Sequence, residues 1–382
     1  MQKSRFYIAQ LFYLLIFTQF VGLMRQAGFT KYIVYTMFLL PFLFFSREKI
    51  RLRSAYILMP PLAYITLGLV SSAASGFFDF YSIKTGLLLI FPAVFSLILY
   101  EKGVFEGVDI CRTVFLGYVL YSLFFSYCYH TAESTRAFVF GMFAVYFLIK
   151  KAWGFCAFAV GICYYSDKRI ALMGMIAVFC FAAAAYLLLK LWRTVSRKKL
   201  WIAFGVICTA AAYAVAFMVH SGALIALFEK AHIDPWGRQT IWGVFRQFAE
   251  IDVGFTGHGL GFVTSKLDEL RVWMVDERWF QNLHCDFYRS YIELGFFGLG
   301  IWMLSYFRSY YKLTEDTENN NTILIFTFSA IAYTLMIYIT DNVLLYFECW
   351  FPLNLMLLDM AHSRPSVVKR QALLMKAHYL YD

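Results

Sequence analysis

Between Gly237 and Gly298 the sequence gathers residue types that could do chemistry: Arg238 and Trp242, a glycine cluster at 254, 257, 259 and 261, then His284, Glu293, Gly295 and Gly298. The run Gly254-Phe-Thr-Gly257-His-Gly259-Leu-Gly261 can turn tightly and bring backbone N–H groups close to an anion. It can equally be a glycine-rich turn that links two helices. Polar, glycine-rich chain of this length would find no hydrogen-bond partners in hydrocarbon, so it must face water or line a cavity in the protein. A reaction site is therefore expected here.

The sequence that must position these residues is strongly apolar. Hydrophobic residues make up 61% of the 382-residue chain and charged ones only 15%, and apolar runs near membrane length recur almost end to end. The expected fold is all-α: a polytopic transmembrane helical bundle of about 12 spans, with one long extracytoplasmic loop containing short amphipathic helices. The spans read as 6–24, 32–46, 57–75, 83–100, 111–129, 136–149, 152–165, 170–190, 200–220, 288–307, 322–340 and 343–360. This divides the chain into 1–220 with nine spans, the loop 221–287, and 288–382 with three spans and a tail. Two runs, 136–149 and 152–165, are short for a crossing and could form one re-entrant hairpin.

Lysine and arginine are distributed unevenly over the connections. One side carries Lys3 and Arg5, then Arg47, Lys49, Arg51 and Arg53, Lys102 and Arg112, Lys150 and Lys151. It continues with Lys190, Arg193, Arg197, Lys198 and Lys199, Arg308 and Lys312, and finally Arg364, Lys369, Arg370 and Lys376. The short connections of the other side hold only Arg25, Lys31, Lys84, Arg136, Lys168 and Arg169. By the positive-inside rule the basic side is cytoplasmic, with both termini, and 221–287 lies outside. The net charge of +10 then needs no nucleic-acid partner, since this bias and attraction to membrane lipids account for it.

No cleavable signal peptide is visible, because the first apolar run lacks a small-residue cleavage site and is long enough to be a span. Of the eight cysteines, six lie in apolar runs and are expected to behave as small hydrophobes, while Cys285 falls near the outer face. There is no CxxC pattern, and neither a disulfide nor a metal site is expected. The halves show no repeat, which counts against a transporter.

Within the loop, Asp234 and Pro235 look like an N-cap and first-turn proline, leading into Ile241, Val244, Phe245 and Phe248 at helical spacing. Ser265 and Asp268 form a capping-box pattern before Leu267, Leu270 and Trp273. Glu348, with Asp341 one heptad before it, is costly in a membrane unless paired and should meet an arginine in the outer cavity.

Taken in order, Arg238-Gln-Thr-Ile-Trp242, Gly257-His-Gly259-Leu-Gly261, and His284 followed by Glu293, Gly295 and Gly298 resemble the region shared by O-antigen polymerases and O-antigen ligases. Ser166-Asp-Lys168-Arg169-Ile-Ala-Leu resembles that family's Ser-Arg element at the outer start of a span. The likeness covers about 230–300 closely and 166–175 loosely. Two positions depart from the pattern: Lys168 stands where Ser usually precedes Arg, and Cys285 replaces the Asn that often follows His.

The resemblance implies a glycosyltransferase that uses an undecaprenyl-diphosphate-linked glycan donor at the outer face of the bacterial cytoplasmic membrane. It would act as a polymerase joining repeat units of O-antigen, capsule or exopolysaccharide, with a chain-length regulator protein as an implied partner. The alternative is a ligase moving finished glycan to a lipid A core or protein acceptor, and a lipid-linked glycan flippase is the non-enzyme reading. In such a reaction Arg169 and Arg238 would clamp the diphosphate, since guanidinium bonds phosphate oxygens bidentately. His284 would be the base for the acceptor hydroxyl, with His258 its rival. Lys168, Arg136, Arg246, Arg289, Glu293, Trp242, Gly257, Gly259 and Gly261 are the expected substrate contacts, with Lys84 a lesser one. No cofactor or metal is expected, because the loop has no DxD-like acidic pair, and direct displacement with inversion follows.

Overall fold

The computed structural model describes residues 11–20, 30–45, 50–102, 109–130, 136–191, 196–235, 237–273, 282–315, 320–339 and 341–362, and among them every regular element is helical. Lys3, Arg5, Arg25, Arg47, Lys49, Arg193, the tail beyond 362, and the ends of the expected span 6–24 lie outside the described residues. The helices are α1 (Leu11–Phe20), α2 (Thr30–Phe45), α3 (Met59–Ser75), α4 (Phe80–Lys102), α5 (Ile110–Tyr129), α6 (Ala137–Ile149), α7 (Trp153–Tyr165) and α8 (Arg169–Leu191). They continue with α9 (Arg197–Ser221), α10 (Ala223–Lys230), α11 (Arg238–Phe245), α12 (Phe262–Trp273), α13 (Asp286–Thr314), α14 (Asn320–Tyr338) and α15 (Phe347–Ala361).

Six of these are long and apolar enough to cross a membrane: α3 with its 3-10 lead, α4, α5, α8, α9 and α14. Leu69, Phe124, Met173, Ile202 and Ile207 stand exposed on them, as lipid-facing side chains would. The chain is a helical membrane protein. Its innermost helix is α6, buried continuously from Ala137 to Phe147 and packed by α7, α8, α14 and α15. A helix that is apolar on every side belongs in such a position.

Polar contacts define two ends of the bundle. At one, Lys150 pairs with Asp359 at 2.7 Å, Arg51 with Glu101 at 2.9 Å, and Arg53 Nε donates to the Leu313 carbonyl at 2.8 Å. Ser54 donates to Glu101 there and lies 2.8 Å from a ring nitrogen of His362. At the other end Lys168 lies 3.7 Å from Asp341.

Several boundaries differ from the sequence expectation. The span expected at 288–307 is α13, which starts at Asp286, runs to Thr314 and breaks at Gly295 (φ 75°). The run 343–360 is a 3-10 turn, Val343–Leu345, followed by α15. Asp234 and Pro235 do not begin α11; Gly237 (φ 72°) is its N-cap, because the Pro235 carbonyl closes a turn onto the N–H of Arg238 at 3.0 Å. Nor does Ser265 begin α12, which starts three residues earlier after Gly261 turns the chain at φ 81°.

Candidate functional site

His284 is held from both sides. From α11, the Trp242 indole N–H donates to the Leu283 carbonyl at 2.6 Å, and Trp242 is itself buried. From the connection between α14 and α15, Asn342 Oδ1 accepts the His284 N–H at 3.1 Å, and Asp286 Oδ2 accepts the Leu344 N–H at 2.7 Å. Between these anchors His284 adopts φ 57°, a left-handed conformation that costs a non-glycine residue about 1 kcal/mol or more and persists only where the surroundings over-determine it. Its ring makes no hydrogen bond among the described residues, and Nδ1 is buried.

Four titratable groups act on one another here. Burial is the largest influence on the His284 imidazole and lowers its pKa to about 4; Asp341 opposes the shift, while the positive charges of Arg238 and Lys168 add to it. At neutral pH the ring is therefore uncharged and free to accept a proton. Arg238, the first residue of α11, is half-buried and donates from Nη1 to the Pro235 carbonyl at 3.2 Å. Burial lowers its pKa too, opposed by Asp341. Lys168 lies 3.7 Å from Asp341 and 4.9 Å from the Phe138 ring centroid.

Arg169 is exposed beside Lys168 on the wall of an open pocket that also takes in Tyr164, Tyr165 and Asp167, and it is not among the groups acting on His284. Lys168, ranked below it on sequence grounds, is the nearer cation. Arg136 is buried, stacked 3.2 Å over the Tyr121 ring centroid, and Glu348 acts on it electrostatically. Arg246 lies apart, exposed next to Gly222 and acting on His220 and Tyr288.

The remaining expected substrate contacts are built into the scaffold. Glu293 is fully buried: one carboxylate oxygen accepts from Tyr64 of α3 at 2.9 Å, the other from the Val263 N–H at 3.3 Å, and Arg289 lies 3.6 Å away. An acidic group facing the first turn of α12 supplies the cap that the sequence assigned to Ser265. Arg289, also buried, donates to Thr264 at 3.0 Å.

The glycine run is not an anion cradle. The N–H groups of His258 and Gly259 donate to the carbonyls of Ile292 and Glu293 at 2.8 and 3.0 Å, and that of Leu260 to Gly68 at 3.1 Å. A Cβ at Gly257 would lie 2.4 Å from the backbone nitrogen of Gly295, one at Gly259 2.2 Å from Ser72 Oγ, and one at Gly261 2.4 Å from the Tyr81 carbonyl. These glycines let the loop wedge against the break in α13 and against α3 and α4. His258 is part of the wedge, with Nε2 2.9 Å from the Phe248 carbonyl and its ring stacked on Phe262.

Cys285, which follows the histidine, is no rival nucleophile: it is fully buried, and desolvation pushes its thiol up to about 12. The sequence reading missed Asn342, and it noted Asp341 only as a neighbour of Glu348. An adjacent Asp and Asn between two apolar runs was the available signal, since such residues are expensive at membrane depth without a task. No family model, no curated protein and no solved structure matches this chain.

Proposed function

We propose that this chain is a polymerase that joins undecaprenyl-diphosphate-linked oligosaccharide repeat units at the outer face of the bacterial cytoplasmic membrane. The observation that carries the reading is His284: an uncharged imidazole on a strained backbone, with no hydrogen bond to its ring among the described residues, set beside Arg238 and Lys168. In the step this implies, the acceptor hydroxyl oxygen bonds to the anomeric carbon of the donor sugar as its proton passes to the imidazole. The carbon–oxygen bond to the diphosphate breaks, and its electron pair leaves with the diphosphate. Arg238 and Lys168 take up that growing charge, and Arg169 lies next to Lys168 on the wall of the open pocket.

Donor binding also strengthens the base. A diphosphate placed against Arg238 and Lys168 offsets the two positive charges that depress the His284 pKa, so the ring gains proton affinity when an acceptor can use it. A single displacement inverts the anomeric carbon.

The topology that goes with this reading has twelve crossings, both termini in the cytoplasm and 221–287 outside. It is supported by the placement of Lys150 and Arg53 at one end of the bundle and His284 with Asp341 at the other. In a cysteine-free background, Val253→Cys should react with a membrane-impermeant thiol reagent in intact cells and Lys198→Cys should be shielded; both positions are exposed. The reverse pattern would place the site on the wrong side.

Deleting the chain tests the reaction itself. Single repeat units should still reach their final acceptor while long chains disappear from both surface and carrier. Arg238→Lys, which keeps the charge but loses the bidentate fork, should reproduce most of that loss. Long chains accumulating on undecaprenyl diphosphate would instead make the protein a ligase, and repeats stranded on the inner leaflet would make it a flippase.

A further inference from the structure

At the end of the bundle opposite His284, α3, α9 and α13 leave a groove of about 710 Å³. Ile202 and Val206 of α9 and Ile301 and Leu304 of α13 line it, each more than half exposed, so the wall is apolar and open to the membrane. Gly205 lets the two helices close behind it: a Cβ there would lie 3.1 Å from the Phe307 ring. The rim carries Lys198, Arg308 and Lys312. Lys312 is satisfied by Glu315 at 2.7 Å, but neither Lys198 nor Arg308 has an ion pair among the described residues.

The arrangement is graded along the bundle axis. Charge stands at the bundle end, and the apolar wall runs inward from Lys198 to Val206, a rise of about 12 Å along α9. One leaflet of hydrocarbon is about 15 Å deep. We infer that the groove is a binding site for an anionic phospholipid of the adjacent leaflet, with its phosphate between Lys198 and Arg308 and an acyl chain along Ile202, Val206 and Leu304. Two cations with no ion pair among the described residues select negative charge at headgroup level, while the open apolar wall below them selects a chain rather than a free anion. The inference does not depend on the reaction proposed for His284.

The test uses the full-length protein purified in detergent and presented with phosphatidylglycerol, phosphatidylcholine or inorganic phosphate, read by native mass spectrometry and thermal melting. Phosphatidylglycerol should be retained and should raise the melting temperature, and phosphatidylcholine should do neither. Lys198→Ala with Arg308→Ala should weaken retention by about thirtyfold, whereas Lys190→Ala with Lys199→Ala, exposed basic residues outside the groove, should leave it unchanged. Val206→Trp, at a lipid-facing position that tolerates bulk, should fill the groove and reduce retention with both cations intact. Equal retention of the two lipids, retention unaffected by the groove variants, or full stabilisation by phosphate alone would each overturn the assignment.

Discussion

His284→Ala should abolish detectable product while leaving a folded membrane protein, with a loss on the order of 10²–10⁴-fold, the usual worth of a positioned general base. The protein should survive because the ring makes no hydrogen bond that the fold relies on, and alanine keeps the backbone N–H that Asn342 accepts. The pH dependence gives a sharper check. An imidazole lowered to about 4 is deprotonated throughout the physiological range. The acid limb of kcat/KM, which reports the free enzyme, should therefore be centred near 4 and stay flat from about 6 to 8, whereas the acid limb of kcat should lie at a higher pH because the bound diphosphate raises the pKa of the base. A kcat/KM limb at the ordinary histidine value, or full activity in His284→Ala, would remove this residue from the mechanism.

The largest structural effect is expected at Gly257. Its φ of +81° is a conformation that a β-branched residue adopts only under strain, and the added Cβ would overlap backbone rather than a movable side chain. Gly257→Val should therefore prevent the loop from seating against Gly295 and yield little monodisperse protein in detergent. Gly243 supplies the contrast: it is exposed on α11, with nothing within 4 Å of its missing Cβ. Gly243→Ala should stabilise by up to about 1 kcal/mol. If Gly257→Val melted with the parent protein, the wedge would not be the element that fixes this end of the bundle.

The apolar runs made the bundle helices legible, because hydrocarbon leaves a backbone little choice but to satisfy itself within a helix. Arg238 and His284 stood out for the opposite reason, as polar residues between those runs. Which cation accompanies them was not legible: Lys168 and Arg169 are neighbours in sequence, and only the turn before α8 decides that one approaches Asp341 while the other faces outward. The glycine run carried two meanings at once, a cradle for an anion or a close approach of two chain segments. Gly295, thirty-four residues beyond Gly261, decides between them through contacts that local pattern cannot express. Helix starts failed similarly, since α12 takes its cap from Glu293 on another helix.

The brevity of α7 has a consequence for the lipid around it. Its thirteen residues rise about 20 Å, against a hydrocarbon core of about 30 Å, and Trp153, Phe158 and Tyr164 expose it to the bilayer. In the twelve-crossing topology proposed above, a membrane meeting so short an apolar face would thin beside it. Headgroups on the side of Lys168 and Arg169 would then dip towards the pocket that those residues line, and on the proposed function a lipid-borne phosphate arriving along α7 would move deeper without leaving its own leaflet. On that topology the helix would act as a notch in the membrane surface, cut next to the cations.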